Sequence, residues 1–72
     1  MQTPVIDPVQ MARAALDSVT LIQTEKLLPL TDERKDRVRR NVEHLKIVLD
    51  KGVVNPLINA AIADGTNYLV TP

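Results

Sequence analysis

Apolar residues recur along the chain at helical spacing in two long stretches and crowd together in a third. In the first, Val9, Ala12, Leu16, Val19 and Ile22 or Gln23 follow one another at steps of three and four, the repeat that aligns side chains along one face of an α-helix. Asp7-Pro8 precedes it: an oxygen acceptor at the N-cap, then a proline whose missing N–H costs nothing at the first helical position. Pro29 pushes Leu28 out of the helical region, so this helix is predicted over 8–27. Before it, Pro4, Val5 and Ile6 read as part of an extended arm, 1–7.

The second stretch carries Val38, Val42, Leu45 and Leu49 at steps of four, three and four, widened late by Ile47 and Val48. Thr31 can cap it, and Asp32 and Glu33 in the first turn oppose the positive end of the helix dipole. Lys51 and Gly52 suit its end, because glycine readily takes the left-handed conformation that closes a helix. A second helix is therefore predicted over 32–51. Asn55-Pro56 then repeats the Asp7-Pro8 device, and Leu57, Ile58, Ala60, Ala61, Ile62 and Ala63 cover more than one face of a short helix over 56–64. Beyond Gly65, Tyr68, Leu69 and Val70 favour an extended tail over 66–72, although Ile58, Ile62 and Leu69 also fit one helix running through the glycine. The expected fold is all-α: an antiparallel helical hairpin, a short third helix and an extended C-terminal tail, together one small domain of 72 residues.

Composition sharpens this picture. Nine Val, nine Leu, five Ile and six Ala carry the apolar content, Tyr68 is the single aromatic, and cysteine is absent. A core of small aliphatics in so short a chain stabilises a fold by only about 3–5 kcal/mol without a staple. Neither a disulfide nor a thiolate metal site is available, so association is the expected source of further stability. No apolar run exceeds the four residues Ala60 to Ala63, and no basic region precedes an apolar one near Met1. The reading is a soluble chain made in the cytoplasm, with no signal peptide, membrane span or membrane partner.

Charge is distributed unevenly. Nine basic and nine acidic side chains cancel, yet 31–51 holds seven cations and five anions while 52–72 holds Asp64 alone. Loss of charge with gain of aliphatics marks a fold interior or the centre of a protein interface. Val53, Val54, Leu57, Ile58, Ile62, Tyr68, Leu69 and Val70 are therefore the candidate contact residues. Tyr68 and Leu69 are the ones expected to touch another chain, and Leu57, Ile58 and Ile62 the ones expected to pack on the hairpin.

Arg34, Lys35, Arg37, Arg39 and Arg40 form the one concentrated basic run, which suggests a phosphate or nucleic-acid face. Glu33, Asp36 and Glu43 stand four residues from Arg37, Arg40 and Arg39, so most of these cations can pair along their own helix. A helix-turn-helix traced onto the second and third segments would have a recognition helix with no Arg or Lys. His44 is the only histidine and Ser18 the only serine, and glycines stand only at 52 and 65. That leaves no nucleophile–base pair, metal set or phosphate loop to expect. The expected function is a non-catalytic structural or interaction protein without cofactor or small-molecule substrate, acting as a homo-oligomer or a small subunit of a larger assembly. The alternative is a small regulator that binds nucleic acid or an acidic protein through the basic face.

Overall fold

The computed structural model describes residues 7–53 and 55–71, and among them there are three helices and no strand: α1 Pro8–Glu25, α2 Asp32–Asp50 and α3 Pro56–Val70. Each helix packs against both others. All three begin where the capping residues predict. Asp7 accepts from the Val9 N–H at 3.0 Å, Thr31 from the Arg34 N–H at 3.1 Å and Asn55 from the Leu57 N–H at 2.8 Å. Pro8 and Pro56 follow their caps, where the ring fits the first turn. Gly52 closes the connection after α2 with φ of 98°, a conformation that a side chain would strain. No helix among the described residues is long and apolar enough to cross a membrane.

Two ends move. α1 stops at Glu25, two residues before the predicted boundary, because the Leu27 and Leu28 N–H groups turn to the Thr24 and Glu25 carbonyls and tighten the chain out of the α-helix. α3 continues through Gly65 to Val70, so helix replaces the expected extended tail over 66–70, and Thr71 beyond it is extended. The reason lies in packing. Gly65 faces the core, where a Cβ would overlap Val42 Cγ2 and touch Val38 and Ile22. Glycine is there because α3 lies directly on α2, and it ends nothing. The arm over 1–6 lies outside the described residues.

The core comprises Ala15, Val19 and Ile22 of α1, Val38, Val42, Leu45 and Val48 of α2, and Ile58 and Ala61 of α3. On α1 Val19 and Ile22 lie in the core as predicted, and the earlier part of the stripe is corrected. Val9 is 66% and Leu16 55% exposed, and Ala12 is exposed as well, whereas Ala15 and Ser18 are buried. Toward the N-terminal half of α1 the inner face is lined by the small Ala15 and Ser18, where the helices approach closely, while Val19 and Ile22 fill the core beyond. Met11, Val53, Ile62, Tyr68 and Leu69 pack around the margin.

Candidate functional site

Two features meet at the linker of residues 26–31 between α1 and α2. The first is ionic. Glu25, the last residue of α1, is 2% exposed, and each of its carboxylate oxygens accepts from one arginine of α2. Arg34 Nη1 donates to Oε2 at 2.7 Å, and Arg37 Nη1 to Oε1 at 2.6 Å. Arg37 also stands 3.7 Å from Glu33 on its own helix. The hydrogen bond from Arg34 is the main reason the Glu25 carboxyl sits below the ordinary carboxylate range. Burial opposes that shift, and the bond and charge of Arg37 reinforce it. A staple joining the first two helices is thus present, and it is electrostatic.

The second feature is a groove of about 350 Å³, lined by Lys26, Leu28 and Leu30 from the linker and by Asp64, Asn67, Tyr68 and Thr71 from the far end of α3 and just beyond it. Continuation of the helix past Gly65 is what brings Asn67 and Tyr68 here. Lys26 Nζ and Asp64 Oδ2 close one edge at 3.2 Å. Thr71 anchors the end of α3, its hydroxyl donating to the Asn67 carbonyl at 2.8 Å. The Tyr68 hydroxyl is buried and has no hydrogen-bond partner among the described residues, a state that costs roughly 1–3 kcal/mol. Beside the groove Leu27 stands 86% exposed, more than any other large apolar side chain described, and Leu28 is 39% exposed. No lining residue is shared with the smaller recess formed by Thr31, Glu33, Arg34 and Arg37.

The residues singled out from the C-terminal third divide three ways. Ile58 is in the core, while Val53, Ile62, Tyr68 and Leu69 are half-buried against it. Leu57 and Val70 are exposed, at 43% and 76%, and Val54 lies outside the described residues. Tyr68 is the one member that lines the groove. The basic run also divides. Arg34 and Arg37 turn inward to Glu25, and Arg39 pairs with Asp36 at 2.8 Å. Lys35 and Arg40 make no ion pair among the described residues, and Glu43 meets Lys46, at 3.9 Å, instead of Arg39. His44 is exposed on α2.

Sequence reasoning missed Glu25, Lys26, Leu28 and Leu30. For Glu25 a signal existed, since it follows Ile22 by three and Ser18 by seven on the true inner face of α1. The linker leucines carry no periodic signal, and only the path of α3 turns them into the wall of a groove. Compared with known proteins, the chain matches no family model, curated protein or solved structure.

Proposed function

We propose that this chain is a non-catalytic interaction protein that works in association with other protein subunits, its own copies or different chains, and makes contact through the end of the bundle where the linker meets the last turns of α3. The observation that carries the reading is the groove between Leu28, Leu30 and Tyr68 with Leu27 projecting beside it. Apolar side chains around a concave surface suit a protein partner. Leu57 and Val70 add to the exposed apolar surface of the C-terminal third, whose one charge is Asp64.

The same contacts support an antiparallel hairpin for α1 and α2. Glu25 meets Arg34 and Arg37 close to the linker, and further along both helices Ile22, Val38 and Val42 converge on Gly65. In this arrangement the linker is a fixed platform. The polyanion-binding alternative is the weaker reading, because Arg34, Arg37 and Arg39 already face carboxylates, leaving Lys35 and Arg40 to attract phosphate.

The test is the native mass of a tagged copy in extract of the cells that make it. The reading requires a mass well above the 8.0 kDa of one chain. Migration at the monomer mass would remove it.

A further inference from the structure

Asp64-Gly65 is the only place in the chain where an aspartate or asparagine precedes glycine. That pairing carries a reaction of its own. The backbone nitrogen of the glycine attacks the side-chain Cγ of the aspartate, a water leaves, and a succinimide ring closes. A second water then opens the ring at either carbonyl, returning aspartate or leaving isoaspartate, whose main chain runs through Cβ and Cγ. No reagent other than water enters, and glycine favours the step because no Cβ shields its nitrogen. Two contacts hold this pair in the fold. Gly65 has to lack a Cβ, since one would overlap Val42 Cγ2 on α2, and the Asp64 carboxylate reaches Lys26 Nζ at 3.2 Å.

The fold that requires the pair also keeps it from reacting. Both residues are interior to α3, Pro56–Val70, where helical geometry commits the Gly65 N–H to the Ala61 carbonyl. Ring closure brings that nitrogen onto Cγ, which rotates Asp64 out of the helical ψ of about −42° and breaks the bond. Gly65 is also buried, with Val42, Val38 and Ile22 around the position its Cβ would take, so this turn cannot rotate unless α3 lifts from α2. We propose that Asp64-Gly65 is a site of covalent self-modification that the packed α3 holds closed: while α3 is unwound the pair converts to isoaspartate, and a converted chain cannot seat α3 again. The extra main-chain atom puts every residue beyond 64 out of helical register. It moves Gly65 off Val42 and takes Asn67 and Tyr68 from the groove wall. Unfolding, otherwise reversible in a domain of this size, thereby becomes one-way.

The test uses the full chain, held at neutral pH across a series of guanidinium chloride concentrations. Circular dichroism reads the fraction folded. Isoaspartate leaves the mass unchanged, so the peptide containing Asp64 is followed by chromatography and backbone fragmentation. Asp64→Glu, which keeps the carboxylate but would have to close a larger and less favourable ring, serves as the blank. The rate of conversion should track the unfolded fraction and rise at least about tenfold from the folded to the unfolded plateau, since only the open population reacts. After the denaturant is removed, unconverted chains should regain full helix while converted chains from the same sample remain poor in it. Conversion equally fast in folded and unfolded chain would overturn the protection by α3. Absence of isoaspartate at 64 in the unfolded chain would overturn the site, and converted chains that refold to the parent's melting temperature would overturn the one-way step.

Discussion

Glu25 and Tyr68 sit at the two sides of one linker and meet opposite fates. Both place a polar group out of water. The carboxylate of Glu25 has a guanidinium on each oxygen, whereas the hydroxyl of Tyr68 has nothing among the described residues. Buried polar groups in folded proteins are nearly always satisfied, so the contrast separates a finished contact from an unfinished one. The ionic side is internal structure and ties α1 to α2. On the proposed reading the groove side is the one left for a partner.

The largest effect is expected on the finished side. Glu25→Ala strands Arg34 and Arg37 beside an empty space, and it should lower the melting temperature more than any other single change named here. If thermal denaturation instead shows it neutral, the staple is ornamental and the contrast collapses. Gly65→Ala comes next. The overpacking it forces against Val42 costs about 1–3 kcal/mol, and the alanine regains less than about 1 kcal/mol in helix propensity. Urea denaturation should therefore show a net loss, and the groove should suffer with it, since Gly65 sets how closely α3 approaches α2.

The acid limb sharpens the same point. Because the folded-state pKa of Glu25 is lowered, its contribution to stability is complete above the unfolded value near 4.5 and is lost as pH falls through the folded one. Stability measured from pH 6 down to pH 2 should decline less steeply in Glu25→Gln than in the parent. Equal slopes would mean that the arginines do not discriminate between the two protonation states. The smallest effect belongs to the outer basic face. Reversing Arg39 and Arg40 to Glu should cost about 0–1 kcal/mol and leave association unchanged, as both are exposed. Loss of association in a folded double variant would favour the polyanion reading over the groove.

The sequence was legible where the governing interactions are short. Asp7-Pro8, Thr31 and Asn55-Pro56 act within three residues, and they located the start of every helix. On α2 the stripe read correctly through Val38, Val42 and Leu45, because one face alone is apolar enough to be buried. α1 carries two candidate faces, and Val9 and Leu16 belong to the outer one while Val19 and Ile22 belong to the inner. Only close approach of the other helices explains why Ala15 and Ser18 win. Gly65 misled for a related reason: a glycine that ends a helix and one that admits a neighbouring helix look alike until the neighbour is known. Glu25 was hidden because its partners lie nine and twelve residues on, across a turn.

The contrast between the two polar groups is tested most directly by removing the unsatisfied one. Tyr68→Phe deletes the hydroxyl and keeps the ring, and its melting temperature can be compared with that of the parent at the lowest and highest workable protein concentrations. In dilute solution, where single chains dominate, the variant should equal the parent or exceed it by up to about 1–2 kcal/mol, since no hydrogen bond is lost and a desolvated group is relieved. At high concentration the proposed association predicts that the order reverses, provided that assembly stabilises the parent and brings an acceptor to its hydroxyl. A variant less stable than the parent by the same margin at both concentrations would contradict the account, for it would mean that the hydroxyl is already satisfied within the single chain.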